Sequence, residues 1–221
     1  MAVVVAATGV VGVPRVMEGQ GDEGHRDLAS MAGTSMKFDT SDAAKDKAAE
    51  FERMLPPGRF DELRMARPTD KWEMKTPGGV PMGISMAAAD DDGTLPLVGA
   101  FVVRKGDQVG VVGVTHLKED AKGADFCFPA RQDCEVKRLP NGDESVTWRD
   151  GPDPGIHEKF GYSYTGVRSF DRRSAGKSWL RVTSIPLPNG STTISKPPLS
   201  PGELRSLLGD ERLLPSDTAS E

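Results

Sequence analysis

"LVGAFVVRKGDQVGVVGVTHL", residues 97–117, carries the strongest structural signal in this 221-residue chain. From Leu97 to Val103 neither set of alternate positions is polar, the pattern of a strand buried on both faces, and we expect it at the centre of a sheet. "RKGDQ" turns the chain and "VGVVGVTHL" returns, so the segment reads as an antiparallel hairpin.

Strand signals continue on both sides. Upstream, Phe60–Ala66 reads as a first strand and "DKWEMKTPGG" as a polar, turn-rich connection. In "VPMGISMAA" the residues Val80, Met82, Ile84, Met86 and Ala88 alternate with smaller ones, as in a half-buried strand that "DDDG" closes. Downstream, Leu139-Pro140-Asn141-Gly142 supplies a turn between "CEVKR" and "ESVTW", because Asn and Gly tolerate positive φ. The same four letters recur at Leu187–Gly190, joining "SWLRVTSIP" to "STTISK". Between these hairpins "KFGYSYTGV" puts Phe160, Tyr162 and Tyr164 on one face of a further strand.

Two helices frame the strands. "TSDAAKDKAAEFERMLPPG" has Thr40 or Ser41 as cap, Asp42 in the first turn, and an apolar stripe of Ala44, Ala48, Phe51 and Leu55 before Pro56 and Pro57 stop it. In "LSPGELRSLLGD", Ser200 and Glu203 form a capping box, Pro201 suits the first helical position, and Leu204, Leu207 and Leu208 make the buried stripe that Gly209 ends. The expected fold is α+β: an antiparallel sheet of about seven or eight strands, with an N-terminal and a C-terminal helix packed on one face.

Composition sets the limits. Apolar residues make up 37% and aromatic ones 6%, while Gly (25) and Pro (17) are abundant, a balance that suits short strands and many turns. The apolar deficit lies at the ends, so we divide the chain into an apolar segment (1–14), a flexible Gly-rich linker (15–40), the α+β domain (41–214) and a disordered tail (215–221). Ala2 to Val13 has no charge and contains six valines, short of the roughly 20 apolar residues of a membrane span. We expect it to be the outer part of a membrane anchor or signal core, with an ordinary strand as the alternative. A net charge of −5 argues against a general nucleic-acid partner, whose phosphates need a basic surface.

Cys127 and Cys134 are the only cysteines. A structural zinc site needs four ligands, and His25, His116 and His157 are not at ligand spacing. A redox pair is usually Cys-x-x-Cys at a helix start, which six intervening residues do not match. A disulfide staple is the favoured reading; closing so short a ring stabilises by about 2.5 kcal/mol and implies an oxidising compartment. Two reduced thiols in a cytoplasmic protein are the alternative.

The order "FERMLPPG", "DDDGTLPLVGAFVVRKG", "CEVKRLPNG" and "SKPPLSPGELRSLL" resembles uncharacterised extracytoplasmic domains of actinobacterial, streptomycete-type single-span membrane proteins. The resemblance covers about Ser41 to Leu214 and rests on turn and cap signals. It implies a short cytoplasmic segment, one span and an extracytoplasmic domain, and it supplies no catalytic residues. The chain departs from the pattern in lacking a complete span.

Motifs for chemistry are weak. "SAGKSW" has Asp171 where a phosphate-binding loop needs Gly, and the adjacent aspartates of "ADDDGT" lack the alternate spacing of a calcium loop. No cofactor or metal is implied. His116, at the end of its strand and near Glu119 and Asp120, is the only group we would give to a hydrolase-type enzyme. The stretch from Glu158 to Val182 holds six basic residues, Lys159, Arg168, Arg172, Arg173, Lys177 and Arg181, against two acidic ones, interleaved with aromatics. Alternating strand faces explain that pattern; contact with an anionic cell-surface ligand, or base stacking, would use it. The functional expectation is a non-enzymatic extracytoplasmic sensor or binding domain, membrane-tethered or secreted, facing a protein or an anionic ligand. Its alternatives are the His116 enzyme and a cytoplasmic interaction protein.

Overall fold

The computed structural model describes residues 38–66, 72–75, 81–84, 96–117, 122–129, 131–150, 162–172, 176–187 and 196–214. The apolar segment 1–14, nearly all of the linker, the tail 215–221 and the second Leu-Pro-Asn-Gly turn beyond Leu187 lie outside these residues. Among the described residues no helix is long and apolar enough to cross a membrane.

Among the described residues nine strands and two α-helices form: α1 (Asp42–Arg53), β1 (Glu62–Met65), β2 (Trp72–Lys75), β3 (Pro81–Ile84), β4 (Gly99–Lys105), β5 (Gln108–Leu117), β6 (Arg131–Arg138), β7 (Glu144–Asp150), β8 (Ser163–Arg172), β9 (Gly176–Leu187) and α2 (Pro201–Leu208). Seven strands make one antiparallel sheet in the order β1-β4-β5-β9-β8-β7-β6, while β2 and β3 pair separately. The architecture is α+β.

The hairpin read from residues 97–117 forms with Phe101 opposite Val112 and Val103 opposite Gly110. Its first strand is not central, however. β9 occupies the middle of the sheet, and β4 lies second from one edge. An apolar run reports burial on both faces; it does not report how many neighbours lie beyond. The segment read as turn-rich, "DKWEMKTPGG", contains β2, which pairs with the β3 part of the alternating stretch.

Local signals set the element ends. The Ser41 hydroxyl accepts from the Ala44 N–H at 3.2 Å and starts α1, which buries Ala44, Ala48 and Phe51. Ser200 and Glu203 cap α2 reciprocally. Gly209 closes that helix with φ −77°, so the end is right-handed rather than a left-handed glycine cap. In the Leu139–Gly142 turn only Gly142, at φ 91°, uses the left-handed region; its N–H donates to the Leu139 carbonyl at 2.9 Å.

Strand alternation divides the core. Phe101, Val112, Val114, Leu180 and Val182 share a cluster with α1 and α2. The Phe51 ring stacks on Phe101 with centroids 4.2 Å apart. Leu204 and Leu208 come down onto Gly166, where a side chain would collide with them. A second cluster unites Phe126, Val146, Trp148, Val167 and Trp179. By register Val146 faces Val167, and Trp148 faces Thr165, so this cluster belongs to the other side of the sheet from Gly166.

Candidate functional site

The second cluster carries the site. After β5, a 3₁₀ turn at Gly123–Phe126 is pinned at its start: Asp125 Oδ2 accepts from the Lys122 N–H at 2.7 Å, and Glu144 Oε2 accepts from the Gly123 N–H at 3.1 Å. This turn drives Phe126 into the sheet, edge-on to Trp179 at 4.7 Å between centroids. The next residue is Cys127.

Cys127 and Cys134 form a disulfide, with Cα atoms 5.7 Å apart, inside the usual bridging range. Both sulfurs are thereby removed from metal ligation and thiol chemistry. The bond and the strand compete for the chain. Asp133 adopts φ 52°, and the β6–β7 register shifts between Gln132 and Glu135. The result is a short ring of chain folded back over the Phe126–Trp148–Val167–Trp179 surface, with Cys127 and Cys134 packed against it.

Arg131 sits inside the ring. Its guanidinium lies 4.0 Å from the Phe128 ring centre and 3.9 Å from that of Trp148. Nη1 donates to the Phe126 carbonyl at 2.5 Å, and Nε is 3.9 Å from Asp150 Oδ1. Asp150 is itself held, accepting from Trp148 Nε1 at 2.8 Å and from the Thr165 hydroxyl at 2.9 Å. Between ring and sheet lies a pocket of about 200 Å³. The loop contributes Asp125, Phe126, Phe128 and Arg131; the sheet contributes Leu117, Trp148, Val167 and Arg181.

The six basic residues of the Glu158–Val182 stretch do not form one surface. Arg168 is fully buried, with Nη2 3.0 Å from Asp143 Oδ2 and 2.6 Å from Glu211 Oε1, and Nη1 donating to the Leu208 carbonyl at 3.0 Å. This removes Arg168 from any exposed anionic-ligand surface: its charge is spent holding the C-terminal helix to the sheet. Arg168 pairs with Leu180 across β8–β9, whereas Arg181 pairs with Val167, so the two arginines project to opposite sides. Arg172 and Lys177 lie near the end of the same hairpin, where the description is of the backbone. Lys159 and Arg173 lie outside the described residues. Of the two whose side chains are described, Arg168 and Arg181, it is Arg181 that lines the pocket.

His116 is buried, 4% exposed, with its ring 5.7 Å from that of Phe170. It does not line the pocket, which its neighbour Leu117 does, because adjacent strand residues face opposite ways. Glu119 and Asp120, its supposed acids, lie outside the described residues. Sequence reading missed Arg131, Phe128 and Trp148. A signal was present: an arginine and an aromatic bracketed by two bonded cysteines are held wherever the ring is held. No family model, curated protein or solved structure matches the chain.

Proposed function

We propose that the chain is a non-enzymatic binding domain of an extracytoplasmic protein, secreted or tethered to a membrane. The observation that carries this reading is the Cys127–Cys134 disulfide, which persists in an oxidising compartment and is rare in a reducing one. The resemblance to extracytoplasmic domains of actinobacterial single-span proteins points the same way.

Binding is supported by what the disulfide builds. The ring it closes forms one wall of the pocket, so the bond serves the site as well as stability. In this reading both helices cover the side of the sheet that bears Phe101 and Gly166, and the disulfide side is left to meet a ligand. The contacts of Phe51 with Phe101, and of Leu204 and Leu208 with Gly166, support that division. The ligand presents an anionic group at the cell surface.

The test is thiol mapping of exported protein. Alkylation without reductant, followed by mass spectrometry, should leave Cys127 and Cys134 unmodified and linked in one peptide pair. A free thiol at Cys127 in exported material overturns the extracytoplasmic reading.

A further inference from the structure

We infer that the pocket between the disulfide ring and the sheet binds a small monocarboxylate with an apolar body, and that Arg181 holds the carboxylate. The inference rests on the binding-domain reading above in one respect, that the disulfide is formed.

The two guanidiniums of the pocket are in different states. Arg131 is already engaged by the Phe128 and Trp148 rings, the Phe126 carbonyl and Asp150. Its place against both rings also keeps a ligand cation from using them. Arg181 is different. It is half-buried, its Nε is buried without a hydrogen-bond acceptor, and no described carboxylate forms an ion pair with it. A buried donor left unsatisfied is costly, and an incoming acceptor removes that cost.

Charge and shape narrow the acceptor. Asp125 on the wall brings negative charge that disfavours a dianion such as a phosphate monoester. A guanidinium fork matches a carboxylate in plane with two hydrogen bonds. Of the apolar residues around it, Leu117 and Phe128 keep accessible surface, while Phe126, Trp148 and Val167 are buried behind them; the ligand's apolar body would lie against Leu117 and Phe128. About 200 Å³ admits a molecule of single-ring size rather than a polymer segment. Phe128, 47% exposed although Arg131 lies over its ring, is the large apolar side chain that keeps the most surface among these walls.

The experiment uses the exported, oxidised chain with sodium benzoate, its neutral analogue benzamide, and inorganic phosphate as probes. Readouts are tryptophan fluorescence, since Trp148 lines the pocket, and the Arg181 Nε–H resonance. Benzoate should bind saturably with a dissociation constant on the order of 1 mM and shift that resonance. Benzamide and phosphate should each bind about tenfold more weakly or worse, and Arg181→Gln should weaken benzoate by about tenfold or more. Arg205→Gln, away from the pocket, should bind as the parent chain does. Equal binding of benzoate and benzamide, phosphate binding as tightly as benzoate, or Arg181→Gln binding benzoate as the parent does, each overturns the inference. Free thiols in the sample would refute the compartment; an intact disulfide with no benzoate binding would refute the pocket alone.

Discussion

Arg168 Nη2 lies 3.0 Å from Asp143 Oδ2, and its Nε lies 3.2 Å from the same oxygen. The pair joins the turn before β7 to the middle of β8, and through the Leu208 carbonyl it also caps the end of α2. The Arg168 side chain is 1% exposed and that of Asp143 17%, whereas Glu211, the other partner, is 69% exposed. Removing the buried partner should therefore cost far more. Asp143→Ala is expected to lower the unfolding free energy by about 2–3 kcal/mol, and Glu211→Ala by less than about 1 kcal/mol. Urea denaturation of the two variants checks this; equal losses would mean that Asp143 is not the main counter-charge.

Gly166 is a point of close approach between α2 and the sheet. A Cβ there would lie 2.5 Å from Leu208 Cδ1, 3.0 Å from Leu204 Cδ2 and 3.2 Å from Thr147 Cγ2. Both leucines are fully buried, so neither can swing aside into solvent. Gly166→Ala should destabilise by about 1–3 kcal/mol, the overpacking cost outweighing the reduced freedom of the unfolded chain. In a Leu208→Ala background the same change should cost less, because the cavity admits the methyl group. A double-mutant cycle by urea titration measures the difference, and strict additivity would contradict the contact.

Reduction tests the staple. Treating the folded chain with dithiothreitol should lower its unfolding free energy by about 2.5 kcal/mol, the loop-closure value for so small a ring. Far-ultraviolet circular dichroism should change little below the transition, since the helices pack on one core cluster and the ring on the other.

Glu203 gives the fold an acid limb. Burial raises its carboxyl, but hydrogen bonds from Ser200 and the guanidinium of Arg59 together outweigh this and hold it below the ordinary 4.5. Arg59 Nη2 donates to Oε2 at 3.3 Å, and Arg59 Nε to Oε1. Because the folded value is depressed, this stabilisation is complete above about pH 4.5 and is lost as pH falls through the folded value. Glu203→Gln should flatten the fall in the urea midpoint below that pH while leaving the slope near neutrality unchanged. A parent-like acid limb in the variant would contradict the assignment.

Much of this structure was legible in local signals. Ser41 and Ser200 start helices because a side-chain oxygen accepts from the first free N–H groups, an interaction spanning three residues. Gly142 turns the β6–β7 hairpin for reasons confined to one residue's backbone. The Cys127–Cys134 ring is short enough for its closure to be read from spacing. The pocket was less legible: one of its arginines stood among six candidates, and the other was passed over.

The amino-acid sequence by itself determined the α+β class, the starts of both helices, the β4–β5 and β6–β7 hairpins and the pairing of the cysteines. Each of these depends on contacts within a few residues or across one turn. Tertiary structure alone decided that β9 is the middle strand, that Arg168 is buried against Asp143 while Arg181 lines a pocket, and that His116 faces away from it. A strand's period of two separates neighbouring side chains onto opposite sides, but which side is covered depends on elements far along the chain, such as α2 arriving more than thirty residues after Gly166.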